Sequence, residues 1–190
     1  MHKQSDMTGV VRHRFTVDEY LRMAKAGVLE DARVELLRGE IIEMSPIGSP
    51  HASHVTRIDR FFQRLGGDHF MVRCQCPTIV EEHSVPEPDL ALVKWRDDYY
   101  AKRHPTPEDV LLLVEVSDSS VDKDRRLKLS LYAEAGIPEY WIVDVTRKVV
   151  EVYRQPSGDR YEESFELQSG QKLELVGLEG VKMELADILG

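Results

Sequence analysis

Apolar and polar positions along the chain switch between a helical and a two-residue period, and the switches mark out short elements. Thr16 and Glu19 have the spacing of a capping box, and Phe15 with Tyr20 that of a hydrophobic staple. They predict a helix over 17–26 that stops at Gly27. Apolar runs at 34–37 and 40–44, on either side of Arg38-Gly39, predict a hairpin. Ser49-Pro50 is a cap followed by proline at the first helical position. Val55, Ile58, Phe62 and Leu65 then recur at helical spacing as a core-facing stripe, which Gly66-Gly67 ends.

From residue 70 the pattern turns to strands. Candidates lie at 70–76, 78–82 and 89–93, followed by a polar loop over 94–109. The nearly continuous apolar run at 110–117 reads as a strand central to its sheet. A helix over 122–135 is closed by Gly136 and Pro138. Strands at 140–145 and 149–153 form a further hairpin, which reads first as ordinary sheet and second as a candidate dimer edge. Short strands and a last helical turn at 185–189 complete the chain. The sum is α/β with a mixed sheet. No repeat or linker divides it, so residues 1–13 read as a loose tail and 14–190 as one domain.

Composition excludes more than it identifies. The 190 residues are 42% apolar and 31% charged, the profile of an ordinary globule. No apolar run approaches the ~18 residues of a membrane span, and the first residues lack the apolar stretch of a secretory signal. Cys74 and Cys76 form one C-x-C pair, too close to staple a domain and lacking the second pair of a zinc site. These features lead us to expect a cytoplasmic protein. The net charge of −9 disfavours sequence-independent nucleic-acid binding by overall charge, so any such contact must be local.

Two carboxylates stand where strands are otherwise apolar: Glu115 within Leu111-Leu112-Leu113-Val114-Glu115-Val116, and Asp89 at the head of Asp89-Leu90-Ala91-Leu92-Val93. An ionised carboxylate in such surroundings is costly unless it is paired or holds a metal. An ion pair across the sheet would suffice; so would a hard cation such as Mg²⁺, which needs few protein carboxylates. Asp124 and Lys128 lie four apart on one face of the following helix, beside the apolar side of Leu127, Leu131 and Ala135. Lys128 therefore sits at the border of core and surface, and its ammonium can extend toward the Glu115 strand. Arg57, Arg60 and Arg64 form a stripe opposite the apolar face of their helix, ordinarily a solvated face.

Several blocks occur in order: Glu35-Leu36-Leu37-Arg38-Gly39-Glu40, Ser49-Pro50-His51, Pro86-Glu87-Pro88-Asp89, Leu113-Val114-Glu115-Val116-Ser117, Lys128-Leu129-Ser130-Leu131-Tyr132 and Gly136-Ile137-Pro138-Glu139-Tyr140-Trp141-Ile142-Val143-Asp144. Across roughly residues 15–155 this string resembles the Uma-type restriction-endonuclease family, formerly a domain of unknown function, of the PD-(D/E)XK nuclease superfamily. The resemblance implies a restriction-endonuclease-like fold, a mixed central sheet flanked by helices in a single α/β domain. It also implies that Asp89 and Glu115 are metal ligands, with the Val116 carbonyl as a further oxygen ligand. The superfamily's usual lysine lies two positions after the second acid, where this chain has Ser117; in the Uma-type subgroup it moves to the next helix, which points to Lys128. Glu35 or Glu40 matches an auxiliary acid, and His51 is either a helix-start residue or an accessory to the site.

The implied activity is Mg²⁺-dependent (or Mn²⁺-dependent) endonucleolytic hydrolysis of DNA by a homo-oligomer. Arg57, Arg60, Arg64, Arg125 and Arg126 are candidate DNA contacts, with Lys123 and Lys102-Arg103-His104 as further local cations. Alanine at Asp89, Glu115 or Lys128 is expected to abolish cleavage and leave thermal stability nearly intact. A catalytically silent nuclease-like scaffold that assembles with itself or a partner is the competing reading. A hydrolase of small phosphodiesters is a third, without support from any nucleotide-cradling glycine motif.

Overall fold

A computed structural model of the chain describes residues 11–30, 32–67, 69–117, 122–177 and 182–189, with the side chains of 122–126 outside that set. The tail expected at 1–13 therefore falls outside the described residues as far as residue 10. Helix α1 (Val17–Lys25) begins as the sequence predicts: the Thr16 backbone N–H donates to the Glu19 carboxylate at 2.8 Å, and the Glu19 N–H returns to the Thr16 hydroxyl at 3.3 Å. Strands β1 (Val34–Leu37) and β2 (Glu40–Glu43) pair antiparallel. Arg38 and Gly39 turn between them, both in the left-handed region at φ 50° and 81°. A side chain at Gly39 would come within 2.7 Å of Arg14 Cβ, so the turn needs glycine for space as well as for its backbone angle.

The central sheet has six strands: β3 (Phe70–Cys74), β4 (Leu90–Lys94), β5 (Val110–Ser117), β6 (Glu139–Asp144), β7 (Val149–Ser157) and β8 (Arg160–Gln168), hydrogen-bonded in that order. The β5–β6 pair is parallel and every other pair antiparallel. Parallel pairing requires a crossover, which α3 (Asp122–Glu134) supplies. Successive side chains alternate between the two faces. On one face Leu112, Val114, Trp141 and Val143 pack under Val55, Ile58 and Phe62 of α2 (Ser49–Gly66). The antiparallel pair β9 (Lys172–Glu174) and β10 (Lys182–Glu184) and the short α4 (Ala186–Leu189) complete that layer. On the other face Ala91, Leu113, Tyr140 and Ile142 meet Leu131 and Tyr132 of α3 and Leu37 of β1. The architecture is the mixed α/β fold that the sequence predicts.

Four local expectations are corrected. Residues 78–82 form no strand: the N–H groups of Thr78, Ile79 and Val80 donate to the carbonyls of Pro86, Pro105 and Ser84, partners in neighbouring loops. Leu65 does not join the buried stripe of α2: Gly66 is buried instead, at a place where an added Cβ would come within 3.2 Å of the Phe70 ring. The 140–153 hairpin offers no free edge, since β6 is paired to β5 and β7 to β8. The C-terminal part includes a nine-residue strand, β8, rather than short strands only.

Candidate active site

Strand register brings the two carboxylates together. Leu90 of β4 faces Val114 of β5 in an antiparallel ladder, and Asp89 and Glu115 each lie one residue beyond that pair. Both therefore project to the α3 side of the sheet, and both line one cleft of about 200 Å³. Asp89 is buried and held by three donors. Its Oδ2 lies 2.9 Å from His51 Nε2 and accepts the Val116 backbone N–H at 2.8 Å; its Oδ1 accepts the Gln75 side-chain amide at 3.2 Å. Burial acts to raise the carboxyl's pKa, yet His51, the Val116 N–H and Gln75 together keep it below its ordinary value.

Glu115 is in the reverse balance. Burial dominates and pushes its carboxyl up to about 7, although Lys128 opposes the rise. Its Oε1 accepts from Lys128 Nζ at 3.0 Å and from the Tyr132 hydroxyl at 3.0 Å. Lys128 and Tyr132 are four residues apart on α3, so successive turns of one helix deliver both donors to one oxygen. Lys128 Nζ also lies 3.0 Å from Oε2 of Glu35 on β1. Burial alone would lower the ammonium's pKa, but the charges of Glu115 and Glu35 override it and keep Lys128 cationic. Glu35 Oε2 in turn accepts the Glu87 backbone N–H at 3.0 Å, tying the hairpin to the segment that leads into Asp89.

Of the two auxiliary acids weighed from the sequence, Glu35 is in the cleft and Glu40 is not. Glu40 sits at the turn end of the hairpin with 60% of its side chain exposed, and its ion-pair partner is Arg12 at 3.9 Å. His51 lies in the first turn of α2, and its Nε2 contacts Asp89. Ser117 and Val116 line the cleft. Arg57, Arg60 and Arg64 are exposed along α2 and do not line the cleft. The side chains of Lys123, Asp124, Arg125 and Arg126 lie outside the described residues. Tyr132, Gln75 and Glu87 belong to the site and were not singled out from the sequence. The i, i+4 spacing from Lys128 could have revealed Tyr132. Gln75 gave no signal, because it reaches Asp89 from a left-handed backbone position (φ 47°) just past β3.

The cleft is acidic. Glu35, Glu43, Glu87, Asp89 and Glu115 line it against two permanent cations, Arg33 and Lys128. One ammonium shared by Glu35 and Glu115 leaves a net negative charge that would repel an anionic substrate. Added positive charge resolves this, and the donor set suits it: carboxylate oxygens favour hard divalent cations. Among the described residues no three His, Cys, Asp or Glu side chains are gathered as a ready-made cage. Mg²⁺ does not need one, since it binds through one or two carboxylates with water and phosphate filling the remaining positions. No helix among the described residues is long and apolar enough to cross a membrane.

The family Uma2, described as "Putative restriction endonuclease", matches residues 17–186. A crystal structure described as a putative nuclease belonging to DUF820 from Anabaena variabilis superposes with a TM-score of 0.73 at 15% sequence identity, covering 92% of this chain and 97% of that one. That likeness is one of fold. Among curated proteins, none matches.

Proposed function

The chain belongs to the Uma2 family, and from that premise we propose that its acidic cleft hydrolyses DNA phosphodiester bonds with a divalent cation, Mg²⁺ or Mn²⁺, held by Asp89 and Glu115. One observation carries the reading: Lys128 Nζ, 3.0 Å from both Glu115 and Glu35, reaches the same cleft as Asp89. Lys128 enters the cleft from a helix, while Ser117 occupies the strand position two residues after Glu115, an arrangement that supports the reading.

When bound, the cation supplies Lewis acidity toward the attacking water and neutralises charge on the phosphate. The rest falls to the chain's own groups. His51, Gln75 and the Val116 N–H fix the Asp89 carboxylate in one orientation. Tyr132 and Lys128 fix Oε1 of Glu115 in the same way. Preorganised groups of this kind need no rearrangement as charge develops. Lys128, kept cationic by its two carboxylates, holds the attacking water beside the phosphate or donates to the oxygen on which negative charge grows. Water attacks phosphorus and gives up a proton to solvent, the bond to the departing sugar oxygen breaks, and that oxygen takes up a proton, leaving a phosphate monoester and an alcohol. A single well-placed donor of this type is worth about 10²–10³ in rate.

The test is incubation of the purified protein with supercoiled plasmid, single-stranded DNA and RNA, in Mg²⁺, Mn²⁺ or chelator. Cleavage of duplex DNA that requires the metal and is lost in Asp89→Asn supports the reading. Cleavage that survives chelator and substitution, or no cleavage of any of the three, overturns it in favour of a silent scaffold.

A further inference from the structure

A second charged cluster lies outside the cleft, around the ring of Tyr100 in the loop between β4 and β5. The guanidinium carbons of Arg73, Arg96 and Arg103 stand 5.6, 5.2 and 5.6 Å from its ring centroid, all within cation–π range. The ring is buried, and its hydroxyl donates to the Lys94 carbonyl at 2.8 Å, so it is a fixed platform. Two of the three cations are compensated. Arg96 donates to both oxygens of Asp98 at 2.8 and 3.0 Å, and Arg103 pairs with Asp109, with Nη2 to Oδ1 at 2.9 Å.

Arg73 differs. It has no carboxylate partner among the described residues, and its buried Nε has no hydrogen-bond partner there either. A charged group held beside two like charges with its buried Nε unpaired is unfavourable in isolation and favourable beside an anion. The same positive potential acts on His104, whose pKa is lowered by burial and then by Arg73. In a chain of net charge −9 such a local surplus stands out.

Its position connects it to the cleft. Arg73 is on β3, an edge strand of the sheet, opposite Ala91, and cross-strand partners share a face. Ala91 is two residues from Asp89, about 7 Å along the strand. Gln75, two residues past Arg73, donates to Asp89 itself. A ligand reaching both places must carry a second negative charge a short distance from the first. A nucleic-acid strand does so at every nucleotide.

We propose that Arg73, backed by the Tyr100 ring and braced by the Arg96–Asp98 and Arg103–Asp109 pairs, grips a backbone phosphate of the nucleic-acid strand next to the one in the cleft. The inference rests on the phosphodiesterase reading above and names part of that site's substrate contact. A guanidinium suits the task because its planar fork matches phosphate oxygens.

The experiment measures binding of a short DNA duplex to the parent, R73Q and R73K over a range of salt at fixed divalent-ion concentration. R73Q is expected to bind about tenfold more weakly, the worth of one charge-assisted hydrogen bond, with a log–log salt slope shallower by about 0.9. R73K keeps the parent's slope. On the parent itself, duplex DNA protects Arg73 from an arginine-specific dicarbonyl reagent, read by peptide mass spectrometry, and polyglutamate does not; this holds whether or not the variants fold. R73Q with the parent's affinity and slope, unchanged modification of Arg73, or equal protection by polyglutamate overturns the assignment while leaving the parent's metal-dependent cleavage intact. A parent with no affinity for duplex DNA overturns both this proposal and the reading on which it rests.

Discussion

The Lys128 ammonium meets the Glu115 carboxylate at 3.0 Å across the junction of α3 and β5, with only 11% and 18% of the two side chains exposed. The sequence made both residues unusual in their surroundings; the fold makes them each other's partner. Glu35, the second acid on the same ammonium, gives the pair an excess negative charge that an ordinary structural ion pair would not need.

That geometry revises the expected cost of removing the lysine. Lys128→Met leaves Glu35 and Glu115 buried without their cation, and breaking a buried pair from one side costs about 3–5 kcal/mol. The variant should lose both cleavage and stability, whereas the sequence alone led us to expect stability nearly intact. Denaturant unfolding checks this: a midpoint equal to the parent's would show that the ammonium is not an essential counter-charge.

The two acids of the hairpin should behave oppositely. Glu35→Gln weakens the hold on Lys128 and lowers the cleavage rate. Glu40→Gln, at an exposed position, changes stability by no more than about 0.5 kcal/mol and leaves cleavage at the parent's rate. Rates measured side by side on one plasmid substrate decide it, and an equal loss in both variants would contradict the placement of Glu35.

His51→Ala removes a donor from Asp89 Oδ2 and leaves Val116 and Gln75 in place. Loss of a group that orients a ligand typically costs 10–100-fold in metal affinity. A Mn²⁺ titration of the variant should show a loss in that range; parent-like affinity would reduce His51 to a helix-start residue.

Stability at low pH depends on the loop as well as the site. Arg103, followed by Thr106, holds the Asp109 carboxyl down to about 2 from an ordinary value of 3.8, with burial opposing them. The folded state therefore binds this proton less readily than the unfolded chain. The contribution, at most about 2 kcal/mol, is fully present above pH 3.8 and is lost as pH falls through about 2. Asp109→Asn should remove that part of the acid dependence, so parallel unfolding curves for parent and variant from pH 5 to pH 2 would contradict it.

Legibility in the sequence followed physical cause. Glu115 and Asp89 stood out because strand surroundings make a bare carboxylate expensive, and α1 was readable because Thr16 and Glu19 satisfy each other locally. Residues 78–82 misled because Thr78, Ile79 and Val80 carry strand propensity, while their N–H groups bond to three separate loop carbonyls, Pro86, Pro105 and Ser84, instead of to one partner strand. Leu65 misled because a stripe at helical period can step by three or by four, and the buried stripe steps from Phe62 to Gly66. Glu35 and Glu40 flank the same turn and were indistinguishable until the hairpin docked. Gln75 and the Arg73–Tyr100 cluster depend on tertiary contact alone.

The central claim is that Asp89 and Glu115 grip one divalent cation beside Lys128. Anomalous diffraction from crystals soaked in Mn²⁺ tests it most directly. The account predicts a single strong peak between the Asp89 and Glu115 carboxylates, absent from Glu115→Gln crystals treated in the same way. A cleft that stays empty at saturating Mn²⁺, or a peak that persists unchanged in the variant, would contradict it.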